Sequence, residues 1–203
     1  MEIFRLPLGP LQTNCYILPG EDGRCLAIDP GDEPEKVLAF LEGKGLTLDS
    51  ILLTHGQFDH VGAVKELAAE TGCRVFLCQE DLALPPAITA GTLSCTDTYA
   101  EGDSLCLAGL PFAVLHPPGH TPGSVCLRFA DCLFSGDTLF EGSCGRTDLP
   151  GGNGKQMRDS LNRLAALEGN CAIYPGHGGA TTLDEEKRYN YYLRKYESDT
   201  SRS

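Results

Sequence analysis

Histidines in this sequence lie at or just beyond the ends of short apolar segments, and this placement constrains the fold more than any other feature. Four of the five histidines follow it: His55 in "LLTHG", His60 in "FDHVG", His120 in "PPGHTPGS" and His177 in "YPGHGG". Asp137 in "LFSGDTLF" occupies the same kind of place. Imidazoles and carboxylates gathered above a sheet are ligands for a divalent metal ion. We therefore predict a fold in which several strand ends meet around a metal site.

The order of the segments predicts a mixed α/β fold. Apolar, strand-like segments bounded by Gly, Pro and Asp alternate with segments of helical period. Helices are predicted over "EPEKVLAFLEGKG", "GAVKELAAETG", "KQMRDSLNRLAALEG" and "TLDEEKRYNYYLRKY", and a hairpin over "SVCLRFADCLFSGD". Paired strands argue against a doubly wound sheet and favour two sheets packed face to face with helices outside, a four-layer αββα sandwich. No linker divides the sequence, so we expect residues 1–203 to form a single domain.

The amino-acid composition limits the kinds of molecule that this protein is expected to bind. The formal net charge is −12, from 28 acidic and 16 basic residues, which disfavours binding to nucleic acid or to anionic membranes. The N-terminus has no basic region followed by an apolar core, and no apolar run approaches the roughly 20 residues of a membrane span. We expect a soluble, cytoplasmic protein that acts on a small molecule. The ten cysteines include no C-x-x-C pair and are expected to be free, mostly buried thiols.

Several segments, in this order along the chain, carry a family resemblance. They are "GPLQTNCYIL", "IDPG", "THGQFDHVG", "PPGHTPGS", "FSGDTLF", "GRTDLPGG" and "PGHGGATTLDEEK". Together they resemble the metallo-β-lactamase superfamily, and within it the short one-domain hydrolases similar to glyoxalase II, the hydroxyacylglutathione hydrolases. The resemblance implies the αββα fold, with the active site at one edge between the two sheets.

The resemblance also implies two metal sites that share one carboxylate. The first would be formed by His55, the residue at position 57, His120 and Asp137. The second would be formed by Asp59, His60, His177 and again Asp137, which bridges the two ions. The implied cofactor is Zn²⁺, as one or two ions, with iron or manganese as further possibilities.

Position 57 departs from the family pattern, because Gln57 stands where the family usually has histidine. An amide oxygen can bind a divalent ion, but it is a weaker donor for zinc than imidazole. If Gln57 ligates, the first site persists with lowered affinity. If it does not, two histidines and one carboxylate remain, which is the ligand set of non-haem Fe(II) oxygenases. The second site is complete, so we expect it to bind its ion more tightly.

Residues around the implied ligands are candidates for supporting roles. Asp59 is predicted to be catalytic, because besides ligating it can orient the proton of a metal-bound water. Asp29 and Thr54 are predicted either to hold the ligands through hydrogen bonds or simply to form the turn after a strand. His116 matches no ligand position and is predicted to support the site or to form its wall.

Two cations lie in or beside the glycine-rich loop. Arg146 and Lys155 are predicted to bind an anionic substrate, the alternative being salt bridges to Asp148 or Asp159.

These features predict a metal-dependent hydrolase of a small ester or thioester, such as S-lactoylglutathione, with a metal-bound hydroxide as the nucleophile. One alternative is a mononuclear Fe(II) oxygenase similar to persulfide dioxygenases. Another is a metal-binding protein whose activity has faded. The sequence leaves the oligomeric state open.

Overall fold

Two six-stranded sheets form the centre of the computed structural model, which describes residues 2–89, 91–93 and 95–194. The first sheet has the order β1-β2-β3-β4-β5-β6. Its strands are β1 (Phe4–Leu8), β2 (Thr13–Pro19), β3 (Arg24–Ile28), β4 (Thr47–Leu52), β5 (Arg74–Cys78) and β6 (Asp97–Tyr99). The first three pair antiparallel and the remaining pairs are parallel.

The second sheet is mostly antiparallel. Its strands are β7 (Ser104–Leu107), β8 (Leu110–Leu115), β9 (Cys126–Phe129), β10 (Cys132–Gly136), β13 (Ala172–Pro175) and β14 (Thr181–Thr182). Strands β10 and β13 are parallel neighbours, so their C-terminal ends meet at the same edge. A small separate ribbon pairs β11 (Leu139–Phe140) with β12 (Ser143–Cys144).

Helices cover the outer face of each sheet. They are α1 (Pro34–Lys44), α2 (Phe58–Val61), α3 (Val64–Thr71), α4 (Pro86–Thr89), α5 (Gly154–Ala165) and α6 (Leu183–Tyr189). Helices α1 and α3 share an apolar cluster with the first sheet, and α5 and α6 share one with the second. A third cluster, with Tyr16, Ile28 and Phe134 among its members, lies between the sheets. The predicted αββα sandwich is therefore confirmed.

Local sequence signals account for the helix ends. Pro34 occupies the first turn of α1, and Gly45 ends that helix in the left-handed conformation with φ of 64°. Asn153 begins α5, because its side chain accepts hydrogen bonds from the backbone amides of Lys155 and Gln156 at 3.0 and 3.1 Å.

The C-terminal helix differs from the prediction. It was expected to run continuously from Thr182, but α6 ends at Tyr189, and the chain becomes helical again only over residues 191–194. The cause is Asn190, a buried residue whose Nδ2 donates to the carbonyl of Ser143 at 2.9 Å and to Glu186 at 2.7 Å. These tertiary bonds fix the chain in a non-helical turn. The predicted helical residues 195–196 lie outside the described part of the chain.

The other predicted elements agree with the structure. Strands β9 and β10 form the expected hairpin, and all ten cysteines are free thiols. Within the described residues, no helix combines the length and the apolar character that a membrane crossing requires.

Candidate metal centre

The predicted ligands come together at one edge of the sandwich, each from a different strand end or from α2. His55 follows β4, and His60 lies in α2, which begins directly after the loop at Gln57. His120 lies in the loop after β8. Asp137 follows β10 directly and His177 follows β13 by two residues, so the parallel pairing of these strands places the two side chains together.

Two groups of ligand atoms result. In the first, His55, His120 and Asp137 each offer one atom within 4.8 Å of the others. In the second, Asp59, His60 and His177 do the same. The His60 and His120 rings flank His55, with ring centroids 4.0 and 4.7 Å from it.

Asp137 connects the two groups. Its Oδ1 lies 3.4 Å from Nε2 of His60, and its Oδ2 lies 3.6 Å from Nε2 of His120 and 3.7 Å from Nε2 of His177. Asp59 Oδ2 is 3.2 Å from Nε2 of His177. Two ligand atoms on one tetrahedral zinc ion are about 3.5 Å apart, given bond lengths of about 2.0–2.3 Å. The arrangement therefore matches the spacing of ligands around divalent ions.

Unpartnered polar atoms in the centre provide the test of whether it fits a metal. Nε2 of His55, His60 and His120 and Oδ1 of Asp137 are buried and make no hydrogen bond. Buried polar atoms without a partner are costly, and several of them converging on one point indicate a site for a cation. The residues present fit a divalent metal ion.

Asp29 and Thr54 orient two of the histidine ligands through hydrogen bonds to the ring nitrogen Nδ1. Asp29 accepts hydrogen bonds from the backbone amide and Oγ1 of Thr54 at 2.7 and 2.6 Å. Its Oδ2 lies 3.0 Å from Nδ1 of His60, and Thr54 Oγ1 lies 3.1 Å from Nδ1 of His55. Bonds at Nδ1 orient each ring so that its Nε2 faces the metal.

His120 is oriented in the same way by the backbone. Its Nδ1 lies 2.8 Å from the carbonyl oxygen of Arg146, which only accepts hydrogen bonds. The proton is therefore on Nδ1, and Nε2 carries the free lone pair.

Asp81 is a supporting residue that the sequence did not reveal. It is fully buried and accepts hydrogen bonds from the backbone amides of Gly56 at 2.7 Å and Gly123 at 2.6 Å, and from Oγ1 of Thr121 at 2.9 Å. Gly56 follows His55, and Thr121 follows His120. A single carboxylate thus joins the two loops that carry ligands of the first group.

The ionisable side chains of the centre shift one another's pKa values. Burial, and then the neighbouring His60, lower the pKa of His55 well below its usual value. Burial also disfavours a charged His60, but Asp137 and Asp29 outweigh it and raise the pKa of that ring. Burial would raise the pKa of Asp59, yet the hydrogen bond with His177 and the charge of His60 lower it to about 2. Asp59 is therefore ionised at neutral pH, as a metal ligand must be.

Gly176 leaves room for the centre. A Cβ atom at this position would collide with Oδ1 of Asp137 and would lie 2.6 Å from Cε1 of His60. Any side chain here would displace two ligands. The sequence shows glycine beside His177 but not this close approach, which depends on the packing of separate strands.

The other predicted site residues belong to neither group of ligand atoms. Gln57 is buried, and its Nε2 makes no hydrogen bond. His116 belongs to neither group of ligand atoms in the centre, and its Nε2 lies 2.7 Å from the carbonyl oxygen of Pro122. Arg146 forms an exposed, bidentate pair with Asp148 at 2.7 Å.

Two cavities differ in their relation to the centre: one has the ligand Asp59 in its wall, and the other is lined by none of the ligand residues. One, of about 300 Å³, is mainly apolar, has Asp59 in its wall and includes the half-exposed side chains of Leu11 and Phe58. The other, of about 420 Å³, contains Arg146 and Arg158 and is bounded by Gly154 of α5. Lys155, the residue after Gly154, is exposed at the start of the same helix.

Comparisons with known proteins give one family. The model of the metallo-beta-lactamase superfamily matches residues 8–177. The chain is 37% identical to a probable metallo-hydrolase, YqgX, of Bacillus subtilis, over 95% of this chain and 97% of the relative. It is 35% identical to the hydroxyacylglutathione hydrolase GloC of Haemophilus influenzae, over 95% and 98% of the two chains.

Three solved structures share the fold. A B3 metallo-beta-lactamase, BLEG-1, superposes with a TM-score of 0.88 at 34% identity, over 95% of this chain and 99% of that one. TTHA1623 in a di-iron-bound form gives 0.84 at 43% identity, over 94% and 100%. ETHE1 from Myxococcus xanthus gives 0.84 at 30% identity, over 94% and 84%. On these matches and on its own metal-ligand geometry, the chain belongs to the metallo-β-lactamase superfamily.

Proposed function

We propose that this protein is a metal-dependent hydrolase of a small acyl thioester or ester, similar in activity to glyoxalase II. The observation that carries the proposal is the convergence of unpartnered Nε2 atoms and a carboxylate oxygen in one buried centre. Metallo-hydrolases among the relatives support it. A divalent ion bound there would polarise the acyl carbonyl and lower the pKa of a bound water.

Asp59 is the proposed catalytic residue. Its Oδ2 accepts a hydrogen bond from Oγ1 of Thr13 at 3.2 Å and lies 3.2 Å from Nε2 of His177. Its pKa of about 2 makes it a weak base, because it binds a proton poorly at neutral pH. Its part is therefore to ligate and to accept a hydrogen bond from the attacking water, which orients the oxygen lone pair toward the carbonyl carbon.

The two cavities support a substrate with an apolar part and an anionic part. Leu11 and Phe58 would cover the apolar part next to Asp59. Arg146 would meet a carboxylate after exchanging its partner Asp148, and Lys155 would add positive charge nearby. S-lactoylglutathione has both parts and is the first substrate to test, since one relative is named a hydroxyacylglutathione hydrolase.

Zinc is the proposed metal, with a second ion held more weakly than the first. The group around Asp59, His60 and His177 has a full set of ligands once Asp137 is shared. The other group depends on Gln57, whose neutral amide is the weaker donor. The ten free thiols support a cytoplasmic location, because cytosolic reductants keep thiols reduced.

The test is a comparison of hydrolysis rates in protein reconstituted with zinc, manganese or iron. The panel contains S-lactoylglutathione, simple acyl thioesters, an ester and a β-lactam. We expect thioesters to react fastest and Asp59→Ala to lose nearly all activity, while Asp97→Ala, which removes an exposed carboxylate bonded to Arg74, stays active. Metal-loaded protein that hydrolyses none of the panel would contradict the proposal and favour a binding protein.

An Fe(II) oxygenase is the second candidate. It is favoured by the grouping of His55, His120 and Asp137, which is a two-histidine, one-carboxylate set, and by the di-iron-bound neighbour. Protein loaded with iron under anaerobic conditions should then consume oxygen when glutathione persulfide is added. No oxygen uptake, together with thioester hydrolysis by the zinc form, would reject this candidate.

A further inference from the structure

A second cluster of metal-ligand side chains lies apart from the centre. It consists of Cys78, the last residue of β5; Glu80, in the 3-10 turn Gln79–Ala83; and His116, which follows β8. Each offers one ligand atom within 4.8 Å of the other two. The thiol of Cys78 donates a hydrogen bond to Oε2 of Glu80 at 2.9 Å. The cluster therefore combines a sulfur, an oxygen and a nitrogen ligand.

A hydrogen bond holds the ring of His116 so that one of its nitrogens keeps a lone pair free to bind a metal ion. Its Nε2 lies 2.7 Å from the carbonyl oxygen of Pro122, which can only accept, so the proton of the neutral ring is on Nε2. The free lone pair is then on Nδ1. This is the usual arrangement of a metal-binding histidine, whose second nitrogen donates to a backbone carbonyl.

The backbone of His116 is also fixed. Its amide donates to Oε2 of Glu101 at 2.6 Å, and its carbonyl accepts from Arg163 at 3.0 Å. Arg163 and Glu101 in turn form a salt bridge at 2.8 Å. The imidazole is thus positioned before any ion binds.

We propose that Cys78, Glu80 and His116 form a separate binding site for a zinc-like divalent cation. The ligand types suit Zn²⁺, which binds thiolate, imidazole and carboxylate with tetrahedral geometry. Three protein ligands leave the fourth position for water. Glu80 is exposed and His116 is half-buried, so the ion can enter from solvent, and rotation of the glutamate can bring the ligand atoms to the spacing of about 3.5 Å that zinc requires.

Binding at this cluster replaces one proton. In the metal-free cluster the sulfur carries a proton, which it donates to Oε2 of Glu80. When the ion binds, the S–H bond breaks, the sulfur–metal bond forms and the proton leaves to solvent. Sulfur is not oxidised in this step.

An ion here would also brace the hydrolytic centre. Cys78 belongs to the first sheet and His116 follows a strand of the second, so the ion would connect the two sheets. Asp81, the residue after Glu80, holds the loops that carry His55 and His120. We infer a structural role for the ion, and this inference does not depend on which substrate is hydrolysed.

The experiment uses Co²⁺ as the probe, because a thiolate bound to cobalt gives a strong near-ultraviolet charge-transfer band. Neither ligand group of the hydrolytic centre includes a cysteine, so the band reports the Cys78 cluster. We expect the band to saturate in wild type and to persist in Asp137→Asn, which weakens the hydrolytic centre. It should also persist in Cys106→Ser, which removes an exposed cysteine elsewhere.

The band should be absent in Cys78→Ser, and His116→Gln should need at least tenfold more cobalt. A wild-type protein that shows no band in excess cobalt would overturn the proposal, as would a band that persists in Cys78→Ser. If circular dichroism shows that Cys78→Ser is unfolded, His116→Gln decides, and an unchanged cobalt affinity in that variant would overturn the proposal. The cobalt experiment does not measure hydrolysis. Its outcome can therefore refute the second metal site without bearing on the proposed function, and the reverse also holds.

Discussion

Replacing Asp81 by alanine should destabilise the protein strongly and weaken metal binding. The carboxylate accepts three buried hydrogen bonds, from the amides of Gly56 and Gly123 and from Oγ1 of Thr121. Thr121 keeps a partner after the change, because Oγ of Ser124 lies 2.8 Å from its hydroxyl. The two backbone amides lose their acceptor.

The expected loss of stability follows from these two amides. A buried donor without a partner costs about 1–3 kcal/mol, so the pair should reduce the free energy of unfolding by about 2–6 kcal/mol. Asp81→Asn retains one carbonyl oxygen and should lose about half as much. Asp97→Asn, a change to a partly exposed carboxylate that pairs with Arg74 through both of its oxygens, is the control and should lower the free energy of unfolding by no more than about 1 kcal/mol.

Urea denaturation of the metal-free proteins measures the free energy of unfolding, and a zinc titration measures the affinity for the metal. Because Asp81 joins the loops of His55 and His120, zinc affinity should fall by about 10–100-fold in Asp81→Ala, the range typical of lost second-sphere contacts. If Asp81→Ala unfolds at the same urea concentration as the control, the role assigned to these hydrogen bonds is wrong.

Other changes give further expectations. In a Cys78→Ser background, which removes the separate cysteine-containing cluster, Gln57→His should raise the zinc content toward two ions per chain because it supplies an imidazole; a zinc titration that finds two equally tight ions without this change would contradict this. In the same Cys78→Ser background, Gly176→Ala should lower the metal content below one ion per chain, since the added methyl group collides with Asp137, and an unchanged content would refute the close approach. Arg146→Ala should raise the KM for S-lactoylglutathione more than that for a neutral thioester, with Lys155→Ala smaller; equal changes would exclude anion binding. Chelation of the metal should lower the melting temperature, and re-added zinc should raise it again with the logarithm of the free zinc concentration.

The sequence indicated which histidines and carboxylates converge, and it pointed to Asp29 and Thr54 behind them, but it did not indicate Asp81. A histidine at the end of an apolar strand is a local signal, and the order of strands and helices fixes where such ends meet. The αββα sandwich and the hairpin of β9 and β10 follow from the same reasoning. Strands β11, β12 and β14 are two residues long and show no periodicity that a sequence could reveal.

The residues that hold the ligand loops in place act through contacts between segments that are distant in sequence. Asp81 lies in "CQEDLAL", a stretch with no feature that distinguishes it from an exposed turn, and its partners at Gly56 and Gly123 come from other loops. The break at Asn190 has the same cause, because the amide bonds that produce it reach Ser143 and Phe140. Local propensity contains no information about such pairs.

The placement of the ligands has a consequence for synthesis of the protein. His55, Asp59 and His60 are in the first third of the chain, whereas Asp137 and His177 follow strands of the second sheet. During translation the early ligands leave the ribosome well before their partners exist, so the group with Asp137 can close only after β10 has emerged and the group with His177 only after β13. Metal loading is therefore a late event, and a ribosome-bound chain that stops before β10 should take up no ion at either group with native affinity.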